Sequence, residues 1–97
     1  MKHQNPFVVY SRVYNNQLYA ALSELVGREQ GWGADRYERA AFMVRVSDCL
    51  LGLIAGQQGV ARSMRYICAG HLLSKRVQKA VRAYLVLTVC FAEEGVS

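Results

Sequence analysis

Apolar residues recur every three or four positions in successive stretches of this 97-residue chain, and the stretches start at residues that cap helices. The first begins at Asn5-Pro6, where Asn accepts hydrogen bonds from free N–H groups and Pro fits the first helical position. Its apolar positions are Phe7, Tyr10, Tyr14, Leu18, Leu22 and Leu25. This spacing predicts a helix with one apolar stripe. The helix is expected to end at Gly31 or Gly33, because glycine readily adopts the left-handed conformation that follows many helices.

Asp35 begins a second stretch, and Glu38 follows it at the spacing of a capping box. Apolar residues share one helical face and its margins: Tyr37, Ala41, Val44, Leu51 and Ala55, with Phe42, Val46, Cys49, Leu50 and Leu53 beside them. The C-terminal half is apolar nearly all round, so we expect this helix to be central or to lie at an interface. Asp48 on that face is predicted to be a buried carboxylate paired with an arginine. Residues 56–59 (GQQG) predict a turn.

The C-terminal third allows one helix or two. Val60 to Ala69 has the pattern of a short helix that ends at Gly70, and Ser74 then caps a final helix that reaches about Glu93. The alternative is one helix of more than thirty residues with Gly70 in its interior. Glycine costs a helix about 1 kcal/mol relative to alanine, and serine suits a cap better than an interior position. We therefore favour the break.

The cluster Val86, Thr88 and Val89 raises the possibility of a strand, since β-branched residues favour sheets. These residues nevertheless continue the helical spacing of Val77 and Val81, and the chain has no second stretch of alternating apolar residues to pair with. The sequence predicts an all-α fold, a small helical bundle of three long helices plus a possible short fourth, in a single domain over 1–97.

The composition predicts a cytoplasmic protein without a metal or cofactor. The longest run without a charged residue, Cys49 to Ala61, is too short to cross a bilayer, and no secretion signal stands at the start. Three widely spaced cysteines, Cys49, Cys68 and Cys90, suit a reduced chain in which each packs as a small apolar residue. Cys68 and His71 offer two zinc ligands, but a structural site needs four.

The charge is polarised along the chain. Between Cys49 and Ala92 there are no acidic residues and six basic ones: Arg62, Arg65, Lys75, Arg76, Lys79 and Arg82. Lys75, Lys79 and Arg82 share one face of the predicted last helix, near its N-terminus, where the helix dipole disfavours cations. We expect these six residues to bind an acidic protein surface or nucleic acid. The alternatives are pairing with Glu24 and Glu29 of this chain, or a solvated face.

Two further features bear on a binding role. The segment MRYICAGHLLSKRVQKAV, residues 64–81, resembles a helix-turn-helix weakly, with a turn longer than the tight version. Trp32 lies between two glycines, so we expect it either to plug the bundle or to anchor a partner.

No motif dictates a reaction: a glycine-rich phosphate loop, a nucleophile elbow and a carboxylate pair in a cleft-like context are all missing. We predict a non-enzymatic regulatory or adaptor protein that binds a macromolecular partner through its basic C-terminal half, with nucleic-acid binding as the alternative and no small-molecule substrate evident. Two apolar segments, Cys49–Ala55 and Ala83–Ala92, exceed what one small bundle is expected to cover. A homodimer is predicted, with an interface formed by Tyr84, Leu85, Thr88 and Phe91.

Overall fold

The computed structural model describes residues 17–33 and 35–96, with side chains as far as Cys90. It contains four helices, α1 (Gln17–Glu29), α2 (Arg36–Ile54), α3 (Val60–Cys68) and α4 (Lys75–Val96). The described residues form no strand, so the prediction of an all-α bundle is confirmed. The predicted helix start at Asn5-Pro6 lies outside the described residues. No helix in the described ranges is long and apolar enough to cross a membrane.

The helix boundaries follow the capping residues. Asp35 accepts a hydrogen bond from the Glu38 N–H (3.1 Å), as its capping-box position predicted. Gly31 rather than Gly33 takes the left-handed conformation after α1, with φ of +75°. Because side chains with a Cβ are strained in this region, glycine is favoured there.

The break before α4 is also confirmed. α3 ends at Cys68, Gly70 has φ of +79°, and the linker continues to Ser74. The Ser74 hydroxyl accepts a hydrogen bond from the Val77 N–H (3.1 Å) and so caps α4. A single long helix is incompatible with this geometry.

The core lies around α2 and α4, each of which packs against the other three helices. Its fully buried side chains come from all four helices: Val26, Phe42, Val46, Leu50, Ile67, Val77, Val81 and Leu85. Both helices with extended apolar segments therefore contribute buried side chains to the core of a single chain, while Val86 and Leu87 of α4 remain partly exposed.

α2 turns a different face to the core than the sequence pattern indicated. Phe42, Met43 and Val46 are buried, whereas Tyr37 is 82 % exposed and Val44 55 % exposed. Asp48 lies on the exposed side as well, so the prediction of a buried carboxylate paired with an arginine is wrong. Solvent can hydrate this carboxylate directly, which removes the need for a buried partner.

Candidate functional site

An open groove of about 660 Å³ runs between α3 and α4. Its lining residues are Ala61, Met64, Arg65 and Cys68 from α3, and Lys75, Gln78, Lys79 and Arg82 from α4. In each helix these positions follow the spacing i, i+3, i+4 and i+7, which places them on one face. The groove is thus formed by two helical stripes that face each other.

Hydrogen bonds from other parts of the bundle hold the two sides of the groove in place. The Gln30 side chain donates to the Leu72 carbonyl (3.2 Å) and accepts from the Ser74 N–H (3.3 Å), which ties the linker to the end of α1. Arg45 donates to the carbonyls of Ala69 (2.8 Å) and Tyr66 (3.4 Å) at the C-terminus of α3. The end of α3 and the start of α4 are therefore both fixed before any partner binds.

The N-terminus of α3 is anchored by polar contacts as well. The Ser63 hydroxyl donates to the Gly59 carbonyl and accepts from the Gln58 side chain, both at 3.0 Å. The Cys49 thiol donates to the Ser63 carbonyl (3.8 Å), and burial is the main reason that its pKa is raised. Cys49 thus behaves as the packing residue that was predicted.

The other two cysteines differ from Cys49. Cys68 is half-buried and lines the groove, while Cys90 is exposed, so the predicted packing role is wrong for Cys90. The helical register explains this difference, since Cys90 lies two residues beyond the buried Thr88. No group of three potential metal ligands occurs within the ranges that the structure describes.

The groove brings together four of the six cations singled out in the sequence. Arg65, Lys75, Lys79 and Arg82 line it, all four are exposed, and no carboxylate is among the lining residues that the structure describes. The N-terminal end of α4 adds the positive end of its helix dipole beside Lys75. The result is a concave surface with one sign of charge, which focuses an attractive potential for anions.

The remaining two predicted cations lie outside the groove lining. Arg62 is exposed on the first turn of α3. Arg76 forms an ion pair with Glu29 (Nη1 to Oε2, 3.6 Å) at the end of α1. The expectation of internal pairing thus holds for Arg76 and Glu29.

Trp32 is half-buried and packs on the bundle. Its ring centroid lies 5.7 Å from that of Phe42 and 5.3 Å from that of His71, which in turn contacts Phe42 edge-on. This is the plug arrangement, one of the two expected for this residue. Trp32 therefore supports the linker through His71 and is not part of the groove.

The predicted self-association residues belong to the core of the single chain. Tyr84, Leu85 and Thr88 are 5 %, 0 % and 1 % exposed, and the Phe91 side chain lies outside the described residues. Leu85 and Thr88 present no surface to a second copy, so their assignment to an interface is wrong, whereas Tyr84 is mostly buried but lines the apolar cavity described next. Among the side chains of this helix that the structure describes, the large apolar ones that are exposed are Val86 (42 %) and Leu87 (47 %).

A second cavity of about 260 Å³ lies between α1 and α4, and none of its lining residues within the described ranges is charged. Its lining residues are Leu18, Ala21, Leu22, Leu25, Ala80, Ala83, Tyr84 and Leu87. Leu18 and Leu87 are also partly exposed to solvent, at 37 % and 47 %. This surface is the apolar counterpart of the charged groove.

Sequence reasoning identified the cations but missed the groove. Its α3 residues and its α4 residues share the spacing i, i+3, i+4 and i+7, and this shared spacing was the available signal. Six residues separate α3 from α4, against three or four in a helix-turn-helix, so that weak resemblance does not extend to the connection.

The chain was compared with protein-family models, curated proteins and solved structures, and none of them matches the chain.

Proposed function

We propose that this chain is a small non-enzymatic regulatory or adaptor protein of the cytoplasm that binds an acidic segment of a partner protein in the groove between α3 and α4. The observation that carries the proposal is the convergence of Arg65, Lys75, Lys79 and Arg82 on one concavity, with no carboxylate among its described lining residues. The four cations repel one another in the free protein, and an acidic ligand would relieve that repulsion.

The expected energetics are those of an exposed charge network. A single exposed ion pair contributes about 0–1 kcal/mol, so three or four pairs together supply roughly 1.5–3 kcal/mol. Electrostatic attraction of this kind accelerates association and selects against basic partners. It suits reversible binding, as a regulatory or adaptor role requires.

The shape of the site favours a protein partner over a nucleic acid. A helix-turn-helix protein reads DNA with a helix that protrudes into the major groove. Here the cations line a concavity between two helices, and a six-residue linker joins them. A narrow acidic segment can enter such a groove, whereas a duplex would contact only its rims.

The test compares two triple variants of equal charge by fluorescence anisotropy. K75E/K79E/R82E reverses groove cations, and R28E/R36E/R62E reverses exposed cations outside it. Three reversals subtract six charges from +5, so both variants carry a net charge of −1. The probe is a labelled poly-glutamate peptide of about 12 residues, long enough to span a groove with two helical turns on each side.

The groove variant should weaken peptide binding by about tenfold or more, as expected from the loss of three ion pairs, and the control should change it much less. Equal losses in both variants would refute a specific groove. A labelled DNA duplex serves as the competing class of ligand. Tighter binding of the duplex than of the peptide, with a steep linear dependence of log affinity on log salt, would instead support the nucleic-acid alternative.

We further propose that the chain forms a homodimer through the apolar surface around Leu18 and Leu87, rather than through Leu85 and Thr88. The support is the cluster of partly exposed apolar side chains beside an uncharged cavity. A two-fold axis would seat the exposed leucines of each copy on the cavity of the other. Light scattering should give twice 10.9 kDa at micromolar concentration, and a mass of 10.9 kDa at all concentrations would rule out the dimer.

A further inference from the structure

The two sides of the groove differ in chemistry. The α3 side offers Ala61, Met64 and Cys68 with a single cation, Arg65, whereas the α4 side offers the three cations Lys75, Lys79 and Arg82 with Gln78. An acidic ligand without apolar groups would satisfy the α4 side and Arg65 but leave Ala61 and Cys68 of the α3 side in contact with water. The ligand that satisfies both sides carries apolar groups along one edge and carboxylates along the other.

The spacing of the cations points to the conformation of that ligand. At about 1.5 Å of helical rise per residue, Lys75 and Lys79 lie about 6 Å apart along α4, and Lys79 and Arg82 about 4.5 Å apart. Carboxylates on one face of a second helix have the same unequal spacing when they are four and three residues apart. On one face of an extended strand, side chains repeat evenly at nearly 7 Å. The unequal spacing of the α4 cations therefore matches carboxylates on a helix better than carboxylates on a strand.

We infer that the groove takes an acidic amphipathic helix of about two turns from a partner protein, with its apolar residues on α3 and its carboxylates on α4. This inference rests on the proposed function and specifies the partner. Laying one face of an amphipathic helix in a groove is an established mode of peptide recognition. A second copy of this chain is a poorer occupant, because its carboxylates, at positions 24, 29, 35, 38, 48, 93 and 94, nowhere combine spacings of four and three.

The test uses three labelled peptides of equal charge, about 14 residues long, which allows the two bound turns to be flanked on both sides. The first places Glu on one helical face and Leu on the opposite edge. The second replaces each Leu by Gln, and the third scrambles the order of the first. Two protein variants accompany them: A61N/C68S makes two apolar groove positions polar, and A41N/C90S makes the same changes at exposed positions outside the groove.

The Leu-containing amphipathic peptide should bind about tenfold more tightly than the Gln and scrambled peptides, and its far-ultraviolet circular dichroism should gain helix on binding. A61N/C68S should remove most of that advantage and leave affinity for the Gln peptide unchanged, while A41N/C90S should change neither affinity.

Equal affinities for the Leu and Gln peptides, or an equal loss for both in A61N/C68S, would overturn the inference. So would binding of the Leu peptide without a gain of helix. In each of these cases the proposed function survives if binding still depends on Lys75, Lys79 and Arg82. If no peptide depends on those cations, the proposed function itself fails.

Discussion

The pair Leu85 and Leu87 provides a sharp test of how α4 is oriented, because the two leucines lie on one helix but differ in environment. Leu85 is completely buried, whereas Leu87 is 47 % exposed beside the apolar cavity. Replacement of each by alanine removes the same atoms. The difference in effect therefore measures burial and not helix propensity, which is identical at both sites.

The expected magnitudes differ by several fold. Truncation of a fully buried leucine loses both transfer free energy and packing, so Leu85→Ala should lower the free energy of unfolding by about 3 kcal/mol. Truncation of the half-exposed Leu87 should cost about 1 kcal/mol or less in the monomer. For a domain of this size, 3 kcal/mol corresponds to a fall in Tm of roughly 12–20 °C.

The assay is urea unfolding followed by circular dichroism at low and high protein concentration. The Leu85→Ala effect should be independent of concentration, because the side chain packs within one chain. The Leu87→Ala effect should grow with concentration if Leu87 lies in a dimer interface, since association stabilises the folded state. The reasoning fails if Leu85→Ala lowers the free energy of unfolding of the monomer by less than about 1 kcal/mol, because truncation of a buried leucine to alanine typically costs about 2–5 kcal/mol.

Three further predictions concern single residues. Gln30→Ala should lower the free energy of unfolding by about 0.5–1.5 kcal/mol in urea titration, because it removes the hydrogen bonds to the exposed Leu72 carbonyl and the part-buried Ser74 N–H; no change would show that these two hydrogen bonds do not stabilise the fold. Ser47→Ala should be neutral or slightly stabilising by the same measurement, since the buried Ser47 hydroxyl has no hydrogen-bond partner among the described residues, and a loss above about 1 kcal/mol would contradict this. With iodoacetamide at about pH 8, Cys49 should react more slowly than the exposed Cys90, because burial raises the pKa of the Cys49 thiol and lowers its thiolate fraction. Peptide mapping by mass spectrometry would measure the rate of alkylation at each cysteine, and faster reaction at Cys49 than at Cys90 would contradict the prediction.

Local signals in the sequence predicted most of the helix boundaries. Asp35 and Ser74 cap α2 and α4, and Gly70 breaks the chain before α4, because capping and left-handed glycine depend on a few neighbouring residues. These features need no knowledge of the tertiary arrangement. The same local reasoning identified the basic residues of the C-terminal half.

The orientation of the helices could not be obtained in this way. α2 has apolar residues on more than one face, so its periodicity did not decide between Val44, which is exposed, and Val46, which is buried. In α4 the apolar run from Tyr84 was predicted to exceed the apolar surface that one chain can bury, although Tyr84 and Leu85 are buried in the core of one chain. Which face is covered depends on contacts between distant segments.

The groove is the clearest example of that dependence. The stripes of α3 and α4 are each visible in the sequence, but their facing arrangement depends on the linker, which Gln30 holds from 44 residues away in the chain. Arg45 acts similarly on the end of α3 from within α2. Sequence spacing alone places residues on a helix face, and only the packing of the bundle decides which faces meet.

The central claim is that an acidic segment binds between α3 and α4, and an NMR titration locates the binding surface most directly. The ¹⁵N-labelled protein would be titrated with the Leu-containing amphipathic peptide while backbone amide shifts are followed. The account predicts that the largest changes fall in residues 61–68 and 75–82, with small changes in α1. Changes centred on Arg28 and Arg36, or spread evenly over all basic residues, would contradict it.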